Sequence, residues 1–490
     1  MKLLLGIEVI TLFLGIKSFG KKNNTLDDIK LLDSKSNNLF AIMVKDSSGN
    51  YNDASAFPTG SYVLNETMSS CVDNNGNKID NLLSYADGVV SARTNKTVYC
   101  YLYFDKELIK VYDKVIEDYN NDNGVQKTTD ENGKDVYYYT GNITNNNLVL
   151  NNYCWKMVRT TETDGVKLIY NGVYKEDTKC NNTGTDVYLD PNRTKYNTNY
   201  NSPAYVGYMY GTVYTYSSKS ASSFGTYYYG SDVTWNGTTY TLSNAESGTI
   251  ADMYSKLSTK HYTCLSTSTS CSTVYYIYYM MNATNYAYYM KLTNGKKIED
   301  ALDEMLNNNT TNSNIKTVID NWYSTNMTNA TDYLENAIYC NNRNISNLGG
   351  WNPSSGGIKS YLYFNDYSNA RLTCQDKEDQ FTLKVDSGGT VGYGNNALDY
   401  PVGLLTSKEA NFAFGGSSTN YLNNGDYYWL LSPGYFYYNA ARVRTVRDGS
   451  LGYNDVDSAY GARPAVSLSI KVKLSGEGNG TVESPYFVSK

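Results

Sequence analysis

The chain has 490 residues, a formal net charge of −6 and only 18% charged residues, with 52 Tyr against 12 Phe and 5 Trp and an equally conspicuous share of Asn. That length points to about two or three units of ~150 residues, and an acidic chain with no basic run argues against nucleic acid as a partner. The single His, His261, removes every two-His metal site and makes any Ser/His or Cys/His catalytic pair depend on one residue, so neither metal nor cofactor is expected.

Residues 1–20 read as an export leader or a clipped membrane anchor. Lys2 supplies a positive start, Leu3 to Ile16 an apolar stretch, and Ser18-Phe19-Gly20 small residues for cleavage, while Glu8 is out of place in such a stretch. The apolar run is shorter than the roughly 20 residues a spanning helix needs. The membrane would therefore be met only through this segment, if it is not removed.

The eight cysteines agree with an oxidising compartment. None forms a C-x-x-C pair, and the spacings suit sequential disulfides Cys71–Cys100, Cys154–Cys180, Cys264–Cys271 and Cys340–Cys374. The expected location is extracellular or on a bacterial cell surface.

Residues 21–36 are polar and read as a linker. Residues 37–105 read as a small all-β, Ig-like module, with apolar runs at Leu39–Val44 and Val98–Phe104 separated by Asn/Gly turns such as Asn75-Gly76. Residues 106–135 are acidic and turn-rich and read as a second linker. Asp118, Asn120 and Asp122 alternate there like the start of an EF-hand loop, but Asn123 and Thr129 stand where Gly and Glu would be needed.

Residues 136–475 form the main domain, of α+β class. Cys154 to Val158 and Val166 to Tyr170 predict a hairpin. Lys297–Leu306, Ile315–Trp322 and Ala330–Tyr339 carry apolar residues at helical spacing. Thr406-Ser407-Lys408-Glu409 is a capping-box pattern opening another helix. Tyr428-Trp429-Leu430-Leu431-Ser432-Pro433 predicts a buried strand ending in a Pro turn, and Ala465 to Leu468 a core strand. Residues 476–490 are a tail with a last extended piece.

The segments WLLSP, Ala441-Arg442-Val443, Asp448-Gly449-Ser450-Leu451 and Gly461-Ala462-Arg463-Pro464-Ala465-Val466-Ser467-Leu468 resemble the end of a bacterial surface domain of unknown function. That domain is related to the C-type-lectin-like and formylglycine-generating-enzyme-like folds. Cys154-Trp155-Lys156-Met157-Val158 is similar to its opening hairpin, and Asn321-Trp322-Tyr323 and Ala337–Asn341 to its central helices. The insertion from Tyr205 to Tyr289 has no counterpart. The same tail is similar to the variable proteins of diversity-generating retroelements, which vary one face of a C-type-lectin-like scaffold. The resemblance implies a C-type-lectin-like main domain with its ligand face between WLLSP and GARPAVSL.

That stretch offers Tyr435, Tyr437, Tyr438, Asn439, Arg442, Arg444, Tyr453, Asn454, Asp455 and Tyr460 as binding residues. Tyr gives a large, rigid, amphipathic contact at low entropy cost, and Arg a forked donor. Arg442 and Arg444 alternate, so one strand face could carry both. The expected partner is a glycan or a surface protein of another cell. Two other classes compete: an enzyme related to the formylglycine-generating fold, which requires an accessible free Cys, and a structural envelope or phage-related assembly component. Gly-x-Ser-x-Gly, Walker A and H-E-x-x-H motifs are absent, as is the glutamate-proline-asparagine triplet of calcium-dependent lectins.

Overall fold

The computed structural model describes residues 10–15, 40–46, 50–58, 62–86, 89–94, 98–223, 225–256, 261–264, 268–280, 282, 285–344, 351–352, 357–358, 372, 374, 379–383 and 398–489. It combines many short strands with a few helices, an α+β architecture dominated by sheet. The chain divides into two units, one of Met1–Ile109 with Lys473–Glu477 and one of Lys110–Val472 with Gly478–Lys490. All eight cysteines are paired, in the four sequential disulfides.

In the smaller unit, strand Tyr99–Lys106 is the axis of the sheet. It pairs in parallel with Phe40–Lys45 and antiparallel with Ser70–Val72 and Tyr62–Leu64. Strand alternation sends Cys100, Leu102 and Phe104 into a core with Ile42, Phe57, Leu64 and Cys71. Tyr101, between them, is 44% exposed on the other face. Cys71 and Cys100 face each other across the ladder, which places their disulfide. Of the expected leader, Ile10–Gly15 lies among the described residues, as a strand antiparallel to Val89–Thr94. The linker expected over 21–36 lies outside the described residues.

The acidic linker expected over 106–135 is instead a helix and a hairpin. Val111–Asn120 is helical because Val111 and Val115 sit one turn apart on a buried face. The charges that suggested a solvated linker are used inward. Asp118 is fully buried, 3.0 Å from the Lys114 Nζ, and it accepts a hydrogen bond of 2.6 Å from the Tyr139 hydroxyl. Val125–Thr129 then pairs antiparallel with Asp135–Tyr139.

The main sheet is built on the expected hairpin, Tyr153–Thr160 against Val166–Val173. Both strands are buried almost throughout, which explains their near-continuous apolar character. Ala465–Leu468 adds to the outer edge of Val166–Val173, so the GARPAVSL motif closes onto the Cys-Trp-Lys-Met-Val hairpin. On the other side Asn147–Leu150 pairs with Tyr153–Thr160 and, in parallel, with Tyr486–Ser489 from the tail.

Helices Ile298–Asn307 and Asn314–Asn326 form where the spacing predicts them. Ala330–Tyr339 does not continue as a helix. A 3-10 turn ends at Tyr333, and the chain then runs extended beside Ala465–Leu468, with the Glu335 amide donating to the Ser467 carbonyl at 2.9 Å. The core strand satisfies that backbone better than a helix would. The capping box is present at Ser407–Phe414, with Thr406 and Glu409 exchanging hydrogen bonds.

The insertion folds as a sheet of its own, in the order Tyr216–Ser220, Tyr286–Leu292, Val274–Met280, His261–Cys264, Tyr227–Gly230 and Glu246–Gly248. The disulfide Cys264–Cys271 ties this sheet to the neighbouring strand Ser270–Cys271.

Candidate ligand-binding face

Two tight turns shape the last quarter. Tyr438 and Asn439 take φ of 49° and 62°, and Asp448 and Gly449 take 47° and 73°. Two consecutive positive φ values give the turn whose twist matches a right-handed hairpin. Asn, Asp and Gly tolerate that conformation; Tyr438 adopts it at some steric cost. The result is a three-stranded antiparallel sheet of Tyr427–Tyr437, Ala440–Arg447 and Ser450–Asp455.

The expected Pro turn after Leu431 does not form. The strand continues through Pro433 to Tyr437 with register shifts on both sides of the proline, a break that relieves the missing N–H. The strand is clamped to the closing motif. The Trp429 amide donates to the Gly461 carbonyl at 3.0 Å, and the Gly461 amide to the Tyr427 carbonyl at 2.9 Å. A Cβ at Gly461 would stand 2.2 Å from the Tyr188 ring, so the motif needs glycine there.

Register decides which expected residues share a face. Tyr435 lies opposite Arg442, Arg442 opposite Asp455, and Arg444 opposite Tyr453. Tyr435, Tyr437, Arg442, Arg444, Tyr453 and Asp455 therefore point one way. Phe436, Ala441 and Val443 point the other way and are fully buried, Phe436 against the rings of Tyr216 and Tyr278 from the insertion.

On the outward face the Tyr435 and Tyr453 ring centroids are 4.8 Å apart and nearly edge to face. The Arg442 guanidinium lies 5.0 Å from the Tyr435 centroid and 6.0 Å from that of Tyr453. It also pairs with Asp455 and donates to the Tyr435 hydroxyl. Burial opposes the Arg442 charge, but Asp455 and Tyr435 outweigh it and hold its pKa above the ordinary value. Burial, reinforced by the hydrogen bond with Tyr453, pushes the Tyr435 phenol up to about 12. The face thus presents tyrosine rings around an arginine already matched by a carboxylate.

Four expected residues are placed differently. Arg444 shares the face but is only 6% exposed, so it is a buried strand residue and not an open donor. Asn454 and Tyr460 belong to the opposite side. The Tyr460 hydroxyl donates to Asn454 Oδ1 at 3.0 Å, Asn454 Nδ2 donates to Thr445 Oγ1 at 3.2 Å, and the Tyr460 ring packs on Trp429 at 5.1 Å. Asn439 serves the turn. Tyr438, its turn partner, does reach the aromatic cluster, packing on Tyr437 and, at 5.9 Å, on Tyr288. Tyr288 comes from the insertion and escaped the sequence reading. Its alternation with Tyr286 was the available signal, but nothing local tells which strand lies beside it.

Among the described residues no group of three or more His, Cys, Asp or Glu side chains is placed to hold a metal ion, and no helix is long and apolar enough to cross a membrane. Comparison of the chain with protein-family models, with curated proteins and with solved structures finds no match.

Proposed function

We propose that the chain is an exported cell-surface protein that binds a ligand, a glycan or a surface protein of another cell, through the outward face of its terminal three-stranded sheet. In this reading the large unit is a C-type-lectin-like scaffold and the smaller one an Ig-like module that presents it. Four disulfides support an oxidising, extracellular setting. One observation carries the reading. Tyr435, Tyr437, Arg442, Tyr453 and Asp455, five of the ten residues expected from the stretch between WLLSP and GARPAVSL, share one face, with Tyr453 45% exposed and Arg442 fixed between two rings. Rigid aromatic groups around an immobilised arginine lose little entropy on binding.

The enzyme reading requires a free thiol, and all eight cysteines are in disulfides. It is not pursued. The test is a glycan and surface-protein array probed with the full chain. Tyr435→Ala is expected to weaken capture about tenfold or more, the usual loss on truncating an aromatic anchor. Equal capture by the variant and the parent chain contradicts the assignment.

A further inference from the structure

Five tyrosines, Tyr288, Tyr438, Tyr437, Tyr435 and Tyr453, form one run of ring contacts, in which Tyr288 is only 9% exposed. Tyr286, 50% exposed, lies two residues before Tyr288 on the same face of strand Tyr286–Leu292. Tyr288 packs on Tyr438 at 5.9 Å, Tyr438 on Tyr437, Tyr437 on Tyr435 at 6.1 Å, and Tyr435 on Tyr453 at 4.8 Å. Tyr453 ends the line, 45% exposed. The insertion therefore extends the binding face from one hairpin into a strip shared by two sheets.

We propose that this strip takes an extended, uncharged oligosaccharide chain, an inference that rests on the binding-face reading above. Two observations favour that ligand class. The strip is a single row of rings, whereas a globular partner covers a broad patch of about 800 Å² with a polar rim. Of the two arginines on this face, Arg444 is buried and Arg442 is matched by Asp455, so an anionic ligand meets no open, uncompensated charge there. A pyranose has an apolar C–H face that packs on an aromatic ring and hydroxyls at its edge. Successive sugar units can repeat that contact along the row, their hydroxyls reaching the Tyr hydroxyls and Asp455.

Calorimetric titration of the full chain with chito-, cello- and malto-oligosaccharides of increasing length, and with heparin fragments as the charged arm, tests this. For at least one neutral series, affinity is expected to rise about tenfold or more from the disaccharide to the plateau length. It should change little with salt. Tyr286→Ala is expected to remove the gain from length and to leave disaccharide binding intact. Binding of heparin alone, lost at high salt, overturns the uncharged ligand. If no saccharide binds but a cell-surface protein is captured in a Tyr435-dependent way, the saccharide inference falls and the binding face stands. If no ligand of any kind depends on Tyr435, both fall.

Discussion

Replacing Glu409 by alanine is expected to destabilise the large unit by about 3–5 kcal/mol, the usual consequence of deleting one partner of a buried charge network. Glu409 is 2% exposed and its Oε1 accepts from both Arg159 Nε and Lys167 Nζ at 2.8 Å. Arg159 and Lys167 are themselves 1% exposed, so removing the carboxylate takes this counter-ion from a buried Lys167 and leaves Arg159 to Glu162, 3.1 Å away. Its other oxygen accepts from the Thr406 amide at 2.9 Å, so the same change also opens the cap of helix Ser407–Phe414. The pH dependence follows from the sign of the shift. Burial alone would raise the Glu409 pKa, but Lys167 and Arg159 outweigh it and bring it down to about 2. An unfolded glutamate titrates near ~4.3. The stabilisation is therefore complete above about pH 4.3 and is lost as pH falls through about 2. Urea unfolding of parent and Glu409→Ala across that range should show a gap that narrows in acid. A constant gap, or one below about 1 kcal/mol at neutral pH, contradicts this account of the network.

Arg463→Ala is expected to cost about 3 kcal/mol or more, because it leaves several buried acceptors without their donor. Arg463 is 1% exposed. It donates to the Tyr170 carbonyl and to Asn171 Oδ1 at 3.0 Å each and to the Leu422 carbonyl at 3.2 Å, with its guanidinium 4.8 Å from the Tyr428 centroid. One planar fork thereby ties the opening hairpin, the loop at Leu422 and the WLLSP strand to the closing motif. Lysine has one point of charge and no fork, so Arg463→Lys should recover less than half of the loss. Full recovery by lysine in chemical denaturation would show that charge alone matters at this position.

The elements most legible in the sequence were those whose local pattern and tertiary environment agree. The hairpin Tyr153–Thr160 and Val166–Val173 and the strand Ala465–Leu468 read as continuous apolar runs because they are buried on both sides. Thr406 and Glu409 announce their cap through spacing alone. Helix Val111–Asn120 was hidden because only Val111 and Val115 mark its buried face, while Lys114 and Asp118, which look solvated, are satisfied by each other and by the distant Tyr139. The candidate face was legible as a segment but not as a surface. Composition cannot tell Tyr453 from Asn454. Register can, because adjacent residues of a strand point to opposite sides. Tyr288 depends on a contact between distant sheets, which no local pattern encodes.

The neighbouring pair Tyr453 and Asn454 also gives the most direct test of the central claim. Ligand capture on the glycan and surface-protein array should be compared for the parent chain, Tyr453→Ala and Asn454→Ala, with folding of each checked by thermal unfolding. The account predicts that Tyr453→Ala loses capture by about tenfold or more while Asn454→Ala, one residue along on the opposite side of the sheet, keeps it. Loss in the folded Asn454→Ala variant with retention in Tyr453→Ala would contradict it.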